Sequence, residues 1–119
     1  MLTHFQPVID NYVQWLFATP NAIKVFKNLI DQLSIGIKNY RPQRPLIPEV
    51  LADDELRSIA VPTLLLVGEK EVVYDPSNAV ERAVRLIPGI EVEFIPGAGH
   101  AAPLDQPDAV NGSTLRFLC

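Results

Sequence analysis

Cysteine and histidine are scarce in this sequence, and their scarcity excludes two kinds of site. The one cysteine, Cys119, is the last residue, so no disulfide can form within the chain, which fits a reducing compartment. The two histidines, His4 and His100, lie far apart in sequence and lack the ligand spacing of a zinc site. We therefore expect neither a metal site nor an internal disulfide.

Basic residues are fewer than acidic residues, and no glycine loop suited to phosphate is present. The 10 Lys and Arg residues against 14 Asp and Glu residues give a net charge of −4, whereas a nucleic-acid-binding surface needs a basic face. The stretch Gly97-Ala98-Gly99 lacks the third glycine and the strand-to-helix setting of a dinucleotide site. We expect no nucleic-acid partner and no cofactor.

Long hydrophobic runs are also missing. The longest apolar run, residues 61–67, is interrupted by Pro62 and Thr63 and is too short to cross a bilayer. The first residues lack the basic region that opens a secretion signal. The sequence therefore predicts a cytoplasmic protein without membrane association.

The first half of the chain has the pattern of paired helices. Apolar residues at three- and four-residue spacing predict a helix over residues 4–18. A second helix is predicted to begin after Thr19, which can cap it, with Pro20 at its first position, and to continue to about residue 37. Three prolines within residues 41–48 then require an extended connector.

The second half has the pattern of alternating strands and helices. The predicted elements are a strand at 63–67, a helix at 76–87 capped by Asp75, a strand at 90–94 and a helix at 107–118 with Val110, Thr114, Phe117 and Leu118 inward. A short, continuously apolar run is typical of a parallel strand buried on both faces, as at 63–67. Alternation at 90–94 places Glu91 and Glu93 on a wet face, near a sheet edge. The fold class is α/β, with parallel strands.

The predicted sheet is incomplete within these 119 residues. A parallel sheet needs cover on both faces and more than two strands, yet the sequence supplies only two. We expect a second copy of the chain, as in a homo-oligomer, or a complementary chain to complete it.

Three stretches resemble the C-terminal end of an α/β-hydrolase. Residues 59–69, Ile-Ala-Val-Pro-Thr-Leu-Leu-Leu-Val-Gly-Glu, resemble the strand that precedes the catalytic acid. Residues 95–100, Ile-Pro-Gly-Ala-Gly-His, resemble the histidine loop, and residues 105–118 resemble the closing helix. The resemblance implies a partial α/β-hydrolase fold, with residues 51–119 as its C-terminal unit. Residues 1–50 then correspond by position to the helical cap, or they serve in assembly.

The resemblance also implies a catalytic triad in the order nucleophile, acid, histidine. His100 occupies the histidine position, on a loop whose glycines permit a tight approach of the backbone. Glu71 occupies the acid position, three residues after Gly68, and glutamate occurs in triads. Asp75 is the alternative acid, although the pair Asp75-Pro76 is already explained as a helix cap.

The nucleophile of such a triad is not found in the sequence. None of the four serines, Ser34, Ser58, Ser77 and Ser113, lies in a Gly-x-Ser-x-Gly motif. The predicted function is the C-terminal part of a serine hydrolase for an ester, amide or related bond. This part is inactive by itself and meets a small-molecule substrate only when completed. The alternative is a non-catalytic remnant with a structural or interaction role, folded by dimerisation or by association with a partner.

Overall fold

The structure, a computed structural model, describes residues 11–12, 14–39 and 48–119. The predicted helix over 4–18 and the connector over 41–48 therefore lie largely outside the described residues, although residues 14–16 are helical. The division of the chain at residue 50 stays a prediction. None of the described helices is both long and apolar enough to cross a membrane.

The elements follow one another in the predicted order. The helices are α1 (Pro20–Asn39), α2 (Asp53–Arg57), α3 (Pro76–Leu86), α4 (Ala102–Asp105) and α5 (Pro107–Leu118), and the strands are β1 (Leu64–Gly68) and β2 (Glu91–Ile95). The two strands pair in parallel, from Leu64 beside Glu91 to Gly68 beside Ile95. The predicted α/β class and the parallel strand–helix–strand–helix order are confirmed.

Two predicted helix starts are confirmed by their capping hydrogen bonds. The amide of Ala22 donates to Thr19 Oγ1 at 3.3 Å at the start of α1. The amide of Asn78 donates to Asp75 Oδ1 at 3.1 Å at the start of α3, where Pro76 is the first helical residue. A side-chain oxygen at this position accepts one of the amides that a helix start leaves without a partner.

The sheet is less covered than the sequence predicts. Only Val67 and Gly68 of β1 are buried, because β1 pairs with β2 alone in the described part of the chain. The predicted wet face of β2 is seen at Glu91, which is exposed, whereas Glu93 is half-buried where Arg116 of α5 binds its carboxylate at 3.1 Å. Phe94, on the other face, is 45% exposed. Both faces of β2 are therefore partly open in the described part of the chain.

The last two helices differ from the prediction in detail. The prediction that Leu118 points inward is wrong, because α5 ends there and the side chain is 70% exposed. Ser113, which was not among the residues predicted to point inward, is buried. The short helix α4 has only four residues, too few to produce a periodic pattern in the sequence.

The described residues contain two buried apolar clusters. The first consists of Leu16, Phe17 and Ala22, with Ile23, Phe26 and Ala101 packed against it, and the second of Ile95, Ala98 and Ala102, with Leu66 and Val110 packed against it. Neighbouring residues, Ala101 and Ala102, belong to different clusters. The segment that follows His100 therefore connects the start of α1 to the sheet.

Candidate catalytic site

Two loops meet at the carboxyl end of the sheet, one after β1 and one after β2. The amide of Glu69 donates to the Ile95 carbonyl at 3.0 Å, and the amide of Lys70 donates to the Ala98 carbonyl at 2.8 Å. In return, the amide of Gly97 donates to Glu69 Oε2 at 2.8 Å. These three hydrogen bonds fix the loop that carries Glu71 against the loop that carries His100.

Glycine is required where the two loops approach most closely. A Cβ atom on Gly68 would overlap the carbonyl oxygen of Gly99 and would lie 2.6 Å from the carbonyl oxygen of Ala98. Gly97 has a φ of +69°, a conformation that side chains other than glycine rarely adopt. The glycines of the histidine loop and of the end of β1 are thus explained by geometry.

The structure brings the two predicted triad residues into contact. His100 Nδ1 lies 2.8 Å from Glu71 Oε2. The other oxygen of Glu71 accepts the amides of Val72 and Val73, each at 2.7 Å. The Glu71 side chain is only 2% exposed, so both carboxylate oxygens are held by hydrogen bonds inside the protein.

Electrostatics favours the ionised form of Glu71. Burial raises the pKa of the carboxyl group, but hydrogen bonds from the Val73 amide, from His100 and from the Val72 amide outweigh it and hold the pKa of Glu71 below its ordinary value. An ionised carboxylate can only accept hydrogen bonds. The proton of a neutral His100 therefore lies on Nδ1, which leaves Nε2 as the acceptor.

The imidazole of His100 is partly exposed to solvent. Its side chain is 41% exposed, and its ring meets the ring of Tyr74 edge to face with centroids 6.3 Å apart. Burial and the nearby carboxylate of Glu71 raise the pKa of Tyr74, so its hydroxyl group stays neutral. An imidazole oriented through Nδ1 and accessible at Nε2 can take a proton from a nucleophile.

The alternative acid, Asp75, has a different set of contacts. Its Oδ1 accepts the Asn78 amide at 3.1 Å, and its Oδ2 accepts the Asn78 side-chain amide at 3.0 Å. The carboxylate that contacts His100 is that of Glu71. The catalytic role of either acid stays a prediction.

Two of the serines, Ser58 and Ser113, donate hydrogen bonds to backbone carbonyls of their own helical turns. Ser58 Oγ donates to the Glu55 carbonyl at 2.7 Å, and Ser113 Oγ donates to the Ala109 carbonyl at 3.0 Å. The described residues contain no group of three or more His, Cys, Asp or Glu side chains that could hold a metal ion.

One buried carboxylate near His100 was missed by sequence reasoning. Asp105 is 7% exposed, and its Oδ2 accepts the amide of Gly99 at 2.7 Å. Its other partners, Ala18 and Thr19, lie 87 and 86 residues earlier in the chain. No local pattern in the sequence could indicate contacts at that separation.

The lowered pKa of Glu71 predicts a pH-dependent contribution to stability. A carboxylate whose folded pKa lies below its unfolded value stabilises the protein fully above the unfolded value, and this contribution is lost as the pH falls through the folded value. We expect Glu71→Gln to be less stable than the wild type at neutral pH, with a difference that shrinks below the ordinary pKa of 4.5. Urea unfolding of both proteins at a series of pH values checks this. A difference independent of pH would contradict it.

Comparisons with known proteins match this chain to a part of proteins that are about two and a half times its length. No protein-family model matches. A carboxylesterase of Bacillus subtilis strain 168, nap, is 39% identical over 115 residues, which are 92% of this chain and 38% of that protein. A non-heme haloperoxidase of Rhodococcus erythropolis is 34% identical over 65 residues, or 55% of this chain and 24% of that protein.

A solved structure agrees with these sequence matches. Naproxen esterase (carboxylesterase NP) from Bacillus subtilis superposes with a TM-score of 0.78 and 36% sequence identity, covering 93% of this chain and 40% of that chain. The chain thus spans about two fifths of the length of the carboxylesterases that it matches.

Proposed function

We propose that this chain, a member of the α/β-hydrolase superfamily with the C-terminal portion of that fold, supplies the acid and the base of a carboxylesterase-type serine hydrolase. The observation that carries the proposal is the 2.8 Å contact between His100 Nδ1 and the buried carboxylate of Glu71. The bond hydrolysed is an ester, an amide or a related bond in a small molecule, with an ester favoured because the relatives are carboxylesterases.

In this proposal the chemistry is divided between this chain and a serine supplied from outside its 119 residues. His100 Nε2 takes the hydroxyl proton as the serine oxygen attacks the carbonyl carbon, and the imidazolium then donates that proton to the leaving alcohol. Glu71 accepts a hydrogen bond from Nδ1–H throughout and stabilises the positive charge of the imidazolium. Water completes the cycle by the same proton transfers in the deacylation step.

We further propose that the 119 residues alone do not hydrolyse esters. Their serines lack the Gly-x-Ser-x-Gly setting of a nucleophile, and a triad without its nucleophile loses most of its rate acceleration. The missing serine is then supplied by a complementary segment that also carries the first strands of the sheet. The incomplete burial of three leucines of β1, Leu64, Leu65 and Leu66, supports this, because a continuously apolar parallel strand needs cover on both faces.

A second candidate function is a non-catalytic protein that assembles with itself. It is favoured by an open apolar groove between α3 and β2, which is lined by Val80, Val84 and Phe94. Val84 is 58% exposed and Phe94 is 45% exposed. Two copies that cover each other's grooves would bury these side chains without assembling a triad.

Complementation with a relative separates the two candidates. The part of the Bacillus subtilis carboxylesterase nap that precedes its match to this chain is co-expressed with the chain. We expect a complex that hydrolyses a p-nitrophenyl ester and is labelled by a fluorophosphonate on the serine of the partner segment, whereas the chain alone does neither. The partner segment alone is the control.

The outcomes of this experiment are distinct. A complex that forms but neither turns over ester nor reacts with the probe contradicts the catalytic proposal. A chain that is dimeric by light scattering and does not bind the partner segment favours the non-catalytic candidate.

A further inference from the structure

A buried carboxylate joins the histidine loop to the start of α1. Asp105 Oδ2 accepts the Gly99 amide at 2.7 Å, and Oδ1 accepts the Thr19 amide at 2.9 Å and the Thr19 hydroxyl at 3.0 Å. The amide of Ala18 lies 3.0 Å from Oδ1 and 3.1 Å from Oδ2. One side chain thus binds the residue before His100 and the two residues before α1.

The backbone around His100 contacts the same segment directly. The His100 amide donates to the Leu16 carbonyl at 3.1 Å. The next residue, Ala101, packs against the cluster that contains Leu16 and Phe17. Residues 99–101 are therefore all held in place. Gly99 is bound through Asp105, His100 is bound by the Leu16 carbonyl, and Ala101 packs against the cluster of Leu16 and Phe17.

The packing at this junction leaves little freedom for movement. A Cβ atom on Gly99 would lie 2.7 Å from the Leu16 carbonyl oxygen and 3.2 Å from Asp105 Oδ2. A displacement of Asp105 or of residues 16–19 must therefore move the backbone of the histidine loop. The carboxylate of Glu71 is held on its other oxygen by the amides of Val72 and Val73 in a different loop, so a movement of residues 99–101 relative to that loop changes the Nδ1–Oε2 geometry.

An aspartate accepts the hydrogen bonds at this position better than an uncharged asparagine of the same shape would. A buried carboxylate is costly unless hydrogen bonds satisfy it, and Asp105 has donors on both of its oxygens. An asparagine at this position has one accepting oxygen and an NH₂ group. It could accept from the histidine loop or from the start of α1, but it would oppose an N–H group on the other side.

We propose that Asp105 is a positioning residue for His100, which couples the segment that begins α1 to the histidine loop and keeps His100 Nδ1 aligned on Glu71. The catalytic consequence rests on the proposed function, but the alignment itself does not. Movement of residues 16–19, which lead into α1, is thereby transmitted to the histidine loop through this carboxylate and through the bond from the His100 amide to the Leu16 carbonyl.

Asp105→Asn tests the proposal, with Asp108→Asn as the matched control, because Asp108 is exposed and lies three residues away. The chain is labelled with ¹⁵N and measured in the complex with the carboxylesterase segment. If no complex forms, it is measured alone. Long-range ¹H–¹⁵N spectra give the tautomer of the neutral imidazole. We expect the Nδ1–H tautomer in the wild type and in Asp108→Asn, and a mixture of tautomers in Asp105→Asn. In the complex, kcat is expected to fall about 10²-fold in Asp105→Asn, as for a displaced catalytic group.

The result that would overturn the proposal is an Asp105→Asn variant that melts earlier but keeps the wild-type tautomer of His100, because Asp105 is then only structural. If that variant does not fold, amide exchange in the wild type decides: slow exchange at Gly99, Ala18 and Thr19 supports the arrangement, and exchange at the rate of open amides contradicts it. A complex without ester turnover refutes the proposed function only, since the tautomer is measured independently.

Discussion

His100→Ala is expected to lower kcat of the completed enzyme by about 10⁴-fold or more, with a much smaller change in KM. In the proposed mechanism the imidazole moves the proton, since its Nδ1 is bound to Glu71 and its side chain is 41% exposed. Alanine removes the base and keeps the loop, whose shape depends on neighbouring glycines. Turnover of a p-nitrophenyl ester by the complex of chain and carboxylesterase segment measures the effect.

Glu71→Gln is expected to lower kcat by a similar order, about 10⁴-fold, because an amide can donate to Nδ1 and so favour the wrong tautomer. The matched control is Asp75→Asn, which changes the alternative acid in the same way. Asparagine caps a helix as well as aspartate does, so α3 keeps its start and the complex is expected to keep its activity. The opposite result, with activity lost in Asp75→Asn and kept in Glu71→Gln, would assign the acid role to Asp75.

A further control uses the other histidine. His4 lies outside the three stretches that resemble the acid strand, the histidine loop and the closing helix, so His4→Gln is expected to leave kcat unchanged. A loss of activity in both histidine variants would mean that neither reports on proton transfer specifically.

The sequence was sufficient for the parts of the site that depend on local signals. The apolar run from Thr63 to Val67 and the cap formed by Asp75 and Pro76 are features of a few neighbouring residues, and both elements form as predicted. The pairing of Glu71 with His100 followed from the resemblance, which sets the order of the motifs. Parallel adjacent strands bring those two loops to the same edge of the sheet.

The remainder of the site depends on contacts between distant residues. The bond from Gly97 to Glu69 spans 28 residues, and those from Ala18 and Thr19 to Asp105 span 87 and 86. An isolated aspartate between a leucine and a glutamine carries no sign of them. The exposure of Phe94 was not predicted either. The alternation of polar and apolar residues in a strand does not reveal which of its faces is covered within the chain.

The second large effect is expected at the end of β1, where Gly68→Ala should destabilise the chain by about 3 kcal/mol. The added methyl group would meet the carbonyl oxygens of Ala98 and Gly99, which are backbone atoms and cannot rotate away as a side chain could. Relief requires the end of β1 to separate from the histidine loop. That movement breaks the hydrogen bonds from Glu69 to Ile95 and from Lys70 to Ala98.

Gly112→Ala is the matched control for this substitution, because a Cβ atom there meets only Arg116 Nη1 at an ordinary 3.5 Å. Alanine inside α5 is expected to stabilise the chain by up to about 1 kcal/mol. Urea unfolding measures both variants, and the tautomer of His100 reports whether Gly68→Ala has also separated Nδ1 from Glu71. If the free energy of unfolding of Gly68→Ala lies within about 0.5 kcal/mol of the wild-type value, the close approach of β1 to the histidine loop is wrong. The geometric basis for pairing Glu71 with His100 is then lost as well, since the same approach places both residues.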